Sequence, residues 1–241
     1  MFKQNEEREG ALLRRLKEAG RTERPGNLGF ATGLETGPKK RAMVVVAQVA
    51  DGPDLATRAR ELIEAGVEGI EIVVGGRTDT GALTEAVRAM GTPCGLLLTG
   101  ASKGDLSALA AIEGLDWLHL GADAPAALLA GPGPTRLVGI SPDSPSGRLP
   151  GVNGLKADVV VAEGAGSGRN GSSSGNSPFT IDTLLAVRTI QGATRGPILV
   201  GDGLGLSPDD ITVLHDHGVE GVLVADGPDA VHAFITAVDK L

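Results

Sequence analysis

From Met43 onward the chain alternates short apolar runs with longer amphipathic or turn-rich stretches. The runs fall at 44–49, 70–74, 95–98, 117–120, 136–140, 159–162, 198–200 and 221–224. Most are apolar throughout, as expected of strands buried on both faces of a parallel sheet. Their starts lie roughly 20 to 26 residues apart, room for a strand, a helix and two short loops, with one longer interval after the sixth. Helices are predicted at 53–65, 81–90, 105–112, 125–129, 181–190, 207–216 and 228–238. The segment 142–155 is too rich in Pro, Gly and Ser for a full helix. Ser207 is read as an N-cap, with Pro208 in the first helical position and Asp209 and Asp210 in the first turn.

A faint internal repeat supports this reading. Gly66-Val67-Glu68, Gly114-Leu115-Asp116 and Gly218-Val219-Glu220 each join a glycine, an apolar residue and an acid just before an apolar run. The glycine suits a left-handed helix stop, and parallel strands require such crossovers. Crossovers of one hand let eight strands curl into a closed cylinder. The expected fold is therefore an α/β (β/α)8 barrel over residues 42–241, with an open doubly wound sheet as the alternative. Residues 1–41 are expected to form an N-terminal helix and a linker. The helix, from about Asn5 to Gly20, carries Leu12, Leu13 and Leu16 on one side, and could plug the barrel bottom or pack on a neighbouring subunit.

Composition narrows the function. With 241 residues and 41% hydrophobic content the chain can bury a sizeable core, although aromatics are only 2%. A net charge of -8 argues against nucleic acid and anionic membrane surfaces as partners. No apolar stretch approaches a membrane span, and the charged N-terminus is unlike a signal peptide, so a cytoplasmic protein is expected. The one cysteine, Cys94, reads as a buried structural thiol.

In a (β/α)8 barrel the site lies at the C-terminal ends of the strands. That rule selects Gln48 and Asp51 after the first strand, Lys103 after the third, Asp123 after the fourth, Glu163 and Gly164 after the sixth, Gly201, Asp202 and Gly203 after the seventh, and Asp226 and Gly227 after the eighth. Glu71 and His119, inside their strands, are candidates to point inward. The glycine-rich stretch after strand six, with Gly164, Gly166, Gly168 and Arg169, offers backbone N–H groups and a cation suited to an anion, as a lid or as a plain Gly/Ser excursion. Glu163 is the strongest acid/base candidate because it ends an apolar strand just before that loop; Asp202 and His119 are the others. Glu71, Asp202 and Asp226 are candidate ligands for magnesium. Turn and cap roles account for Asp51, Asp79, Asp123 and Asp143. No nucleophile elbow and no metal-spaced His/Cys set is present.

Gly201-Asp202-Gly203, the helix after it and Gly218-Val219-Glu220-Gly221-Val222 resemble the second half of the phosphate-binding TIM-barrel superfamily, over roughly the last 85 residues. That group includes FMN-dependent barrels such as nitronate monooxygenase, and phosphosugar and thiamine-phosphate enzymes. The resemblance implies an enzyme that holds a phosphorylated or anionic small molecule, or FMN by its phosphate, in turns after strands six to eight. Arg169, Gly164, Gly166, Gly168, Gly201, Gly203 and Gly227 would contact the anion, with Lys103 secondary. The sequence departs from the family at Asp202 and Asp226, where small neutral residues are usual. A carboxylate about 4 Å from a phosphate costs roughly 4 kcal/mol per charge pair at an effective dielectric of 20, so these side chains must turn away or pair with a cation. The alternative is a barrel that has lost catalysis and serves as a binding or assembly module, in keeping with a homo-oligomer.

Overall fold

Eight parallel strands pair in chain order and close on themselves in a computed structural model of the chain. It describes residues 9–22, 41–75, 79–99, 108–121, 124–130, 133–144, 151–164, 178–225 and 227–241. The strands are β1 (Val44–Ala50), β2 (Gly69–Gly75), β3 (Cys94–Thr99), β4 (Trp117–Leu120), β5 (Thr135–Ile140), β6 (Val159–Ala162), β7 (Ile198–Gly201) and β8 (Gly221–Val224). Around them lie α2 (Leu55–Ala65), α3 (Thr80–Met90), α4 (Ile181–Gly192), α5 (Ile211–Asp216) and α6 (Gly227–Val238), preceded by α1 (Ala11–Thr22). The sheet is closed, as the spacing of the apolar runs predicts, and the open-sheet alternative falls away.

The predicted helix at 125–129 is a 3-10 turn, Ala126–Leu129, and the one at 207–216 opens with a 3-10 turn, Pro208–Asp210, before continuing as α5. The Ser207 cap holds, with its backbone N–H and hydroxyl both donating to Asp210 Oδ2 at 2.8 and 2.7 Å. Only 108–110 of the helix expected at 105–112 is helical among the described residues, and in the Pro/Gly/Ser segment residues 151–154 make a 3-10 turn.

Following partners once round the cylinder, from Ala50 through Val73, Leu97, His119, Leu137 and Val159 and the remaining two pairings, returns to β1 eight residues earlier. Because of this stagger, inward side chains from alternate strands share a layer. From the floor upward the registers stack Gly69, Trp117, Val159 and Gly221; then Val46, Gly95, Leu137 and Leu199; then Glu71, His119, Val161 and Leu223; then Gln48, Leu97, Gly139 and Gly201. The lower layers are apolar. Trp117 is fully buried and its ring occupies the space that side chains at Gly69 and Gly95 would fill. One large ring thus replaces several side chains.

Of the two placements open to α1, the structure shows the first: it plugs the floor of its own barrel. Leu12, Leu13, Leu16 and Ala19 join Val44, Trp117, Leu137, Val159, Leu199 and Leu223 in one cluster. Burying three leucines contributes on the order of 5 kcal/mol. The helix begins later than the sequence suggests, at Ala11, because the Asp116 carboxylate accepts from the N–H groups of Ala11 and Leu12 at 2.6 and 2.7 Å. Nor does Gly20 stop it: the helix runs to Thr22, and Gly20 instead allows close approach to Glu220, whose Cγ would lie 3.1 Å from an added Cβ. Arg15 Nη2 donates to the Arg41 carbonyl and to Glu68 Oε1, and Arg41 Nε pairs with Asp239 Oδ1 at 2.6 Å, tying both ends of the chain to the floor.

Candidate active site

The repeat of glycine, apolar residue and acid resolves into a floor device. Gly66, Gly114 and Gly218 have φ of 99°, 94° and 73°, and Lys156 takes the equivalent turn at 54°. The acids that follow point sideways onto backbone. Glu68 accepts from Val45 N at 2.9 Å, Asp158 from Arg136 N at 2.8 Å and Glu220 from Ile198 N at 2.8 Å, while Asp116 caps α1. These are structural carboxylates.

Two layers above the Trp117 layer the chemistry changes. Glu71 and His119 are both fully buried. Glu71 Oε1 accepts from Gln48 Nε2 at 2.8 Å and lies 3.1 Å from His119 Nδ1, while Oε2 accepts from Trp117 Nε1 at 3.0 Å. An ionised carboxylate can only accept, so Nδ1 carries the proton and Nε2 faces the mouth. There it meets Glu163 Oε2 at 3.6 Å. Glu163 turns back into the barrel over Gly139, where an added Cβ would overlap Glu163 Oε1 and lie 3.1 Å from His119 Nε2.

Burial alone would raise the Glu71 carboxyl and lower the His119 imidazole. The facing charges overcome it in both cases: His119, with the donors Gln48 and Trp117, holds Glu71 below its ordinary value, and Glu71 with Glu163 holds His119 above its own. His119 thus sits between two glutamates, the lower one holding three donors and the upper one reaching the rim. Cys94 faces the outer core, its thiol pushed up to about 12 chiefly by burial, in line with a structural role.

Of the residues named from sequence, Glu71, His119 and Glu163 therefore converge. Gly201 borders them, its added Cβ 3.8 Å from Glu163 Cα. Gly164 and Gly203 bring the turns after β6 and β7 into contact, since a Cβ on Gly164 would overlap the Gly203 carbonyl oxygen. Asp202 opens the 3-10 turn Asp202–Leu204 directly after β7. Gly227 begins α6 at φ 73° with open space where a Cβ would point. Gly166, Gly168, Arg169, Lys103 and Asp226 lie outside the described residues, as does Asp123. Glu71 sits below the rim, its oxygens taken by Gln48, Trp117 and His119. Among the described residues no group of three or more His, Cys, Asp or Glu is placed to hold a metal ion.

The sequence pattern does not single out Trp117, as a donor to Glu71, or Gly139. A glycine within the apolar run 136–140 is a signal for close approach by another group.

No protein-family model matches the sequence, and no curated protein is similar to it in sequence. Solved structures are similar in fold. Tryptophan synthase from Mycobacterium tuberculosis superposes with a TM-score of 0.62 at 17% identity, over 82% of this chain and 93% of that one. A mutant tryptophan synthase alpha-subunit from Pyrococcus furiosus gives 0.61 at 14%, over 82% and 98%. N-(5'-phosphoribosyl)anthranilate isomerase from the same organism gives 0.57 at 15%, over 83% and 100%. The chain has the TIM-barrel fold. At these identities the likeness concerns fold alone.

Proposed function

We propose that this barrel is an enzyme acting on a phosphorylated or otherwise anionic small molecule, with Glu163 and His119 as its acid/base pair. The observation that carries the reading is the buried Glu71–His119–Glu163 line. Charged groups inside a barrel are costly unless paired, and pairs with opposed shifts that lead to the C-terminal mouth suit proton transfer. The anion would sit against the turns after β6, β7 and β8, where Gly164 and Gly203 already meet and Gly227 opens α6. One fold neighbour is by name an isomerase of a phosphoribosyl compound. Arg169 and Lys103 are the cations proposed to offset Asp202 and Asp226. A flavin phosphate is one anion such turns could accept, and a yellow chromophore copurifying with the protein would identify it.

The alternative, a non-catalytic assembly module, is less well supported because α1, the helix it would use, already buries its apolar face in its own barrel. Calorimetric titration with glycerol 3-phosphate tests the reading. Binding is expected, and Arg169→Ala should weaken it about tenfold through loss of a charge-assisted contact. Absence of binding at millimolar ligand would overturn it.

A further inference from the structure

The outer wall of the barrel is not uniform. Among the described residues the exposed large apolar side chains are Leu155, Ile181, Leu185 and Val213. They lie in the three successive crossovers from β5 to β8, which a closed barrel in chain order sets side by side. The helices α2, α3 and α6 expose none. Two of the three crossovers are joined directly: Arg188 Nη1 and Gln191 Nε2 of α4 donate to the carbonyls of His217 and Gly218, just after α5, at 2.8 and 2.6 Å. Val187 and Ile190 fill the inner face of α4, while Ile181 and Leu185, 77% and 58% exposed, stand one turn apart on its outer face. That face leaves apolar area in water that a partner would remove.

The charges on the face select the partner. Its exposed positions are Ile181, Asp182, Leu185, Arg188, Thr189 and Gly192. Asp182 and Arg188 stand equally far before and after Leu185. Both acceptors of Arg188, the Gln191 side chain and the His217 carbonyl, are neutral. The Thr189 hydroxyl donates to the Leu185 carbonyl at 2.8 Å, and a Cβ on Gly192 would meet nothing within 4 Å, so the last turns present little bulk. A twofold axis through Leu185 turns the helix end for end. Leu185 then meets its own copy, Ile181 meets Thr189, and Asp182 comes within reach of Arg188. The face is its own complement. It is also neutral, in a chain whose net charge of -8 makes two copies repel elsewhere. The stretch just ahead of α4, residues 165–177, has one alanine and no larger apolar side chain with which to cover it.

We propose that α4 is the contact between two copies of this chain, packed antiparallel about a twofold axis at Leu185, with Leu155 and Val213 widening the apolar area on its flanks. The contact is independent of the acid/base assignment, because the outer face of α4 points away from the barrel interior. A helix of this size is about 18 Å long and buries less than the roughly 800 Å² per partner of a standard interface, so the dimer is reversible, with a micromolar dissociation constant.

Sedimentation equilibrium of the full chain, from micromolar to millimolar concentration, tests the proposal. The wild type should pass from monomer to dimer. Leu185→Glu sets two carboxylates face to face on the axis and should weaken association at least about a hundredfold. Asp182→Arg and Arg188→Asp each bring like charges together and should each weaken it about tenfold, while the double variant Asp182→Arg/Arg188→Asp regains wild-type association. That rescue requires the helix to meet its own antiparallel copy. Leu185→Cys should give a covalent dimer on oxidation, since the one native cysteine, Cys94, is buried. Fluorescence of the buried Trp117 reports the fold of each variant. A wild type that stays monomeric at millimolar concentration, with the face bare or held by another protein, would overturn the proposal. So would a dimer insensitive to Leu185→Glu, or a double variant no better than either single one.

Discussion

The floor and the mouth of this barrel use the same residue types to different ends. At the floor, Glu68, Asp116, Asp158 and Glu220 take backbone N–H groups as partners, and hold strand ends and α1 in place. Toward the mouth, Glu71 and Glu163 flank a histidine that can gain or lose a proton. A backbone amide neither takes up nor gives up a proton at these pH values, so a floor carboxylate has no partner with which to exchange one. A carboxylate paired with imidazole belongs to a unit with several protonation states, and only such a unit can pass a proton on. The partner, rather than the acid, separates structural from chemical roles.

The largest test of this contrast is Glu71→Gln. It leaves buried His119 with Glu163 alone as counter-ion, and should cost about 3–5 kcal/mol, read from urea unfolding followed by Trp117 fluorescence. Its pH dependence has a defined sign. Glu71 is held below its ordinary value of 4.5, so its contribution is present above 4.5 and lost as pH falls through the folded value. His119 is held above 6.5, so its contribution is full below 6.5 and lost as pH rises through the folded value. The stability gap between wild type and variant should therefore be widest between these two values and narrow on both sides. A gap that does not change with pH would mean that the pair is not ionised as described.

Matched glycine substitutions sharpen the comparison. Gly95→Ala drives a methyl into the buried Trp117 ring and should destabilise by about 1–3 kcal/mol. Gly139→Ala meets the end of the Glu163 side chain, which can swing toward solvent, so its stability should fall by less than about 1 kcal/mol. Equal thermal shifts for the two would erase the distinction between a packed floor and a working mouth.

Asp116→Ala removes the cap from α1 and should cost about 1–2 kcal/mol, with faster amide exchange in α1 and unchanged ligand binding at the mouth. The smallest effect has the opposite sign. Lys156 sits at φ 54° in a turn where its counterparts are glycine, so Lys156→Gly should stabilise by about 0.5–1 kcal/mol, measured by thermal unfolding.

Strand positions were the most legible part of the chain, because an apolar run bounded by turn residues has few other readings. The helix N-termini were less so. The first turn of α1 depends on Asp116, which lies 105 residues from Ala11, and no local pattern encodes such a partner. Glu71, His119 and Glu163 could be nominated from their places in or after strands. Their roles could not be assigned, since Glu71 fits a metal-ligand pattern equally well until Gln48 and Trp117 are seen donating to it.

A parallel α/β chain with about eight repeats, an acidic balance and an amphipathic first helix can all be read from the order of residues, because each is a property of local periodicity or composition. Other features emerge only when the whole chain is folded: the sheet closes with its eight-residue stagger, α1 seals the floor, and two glutamates from β2 and the end of β6 meet one histidine from β4. Layer membership in a barrel depends on register summed around the entire cylinder, and no segment of the chain carries that sum alone.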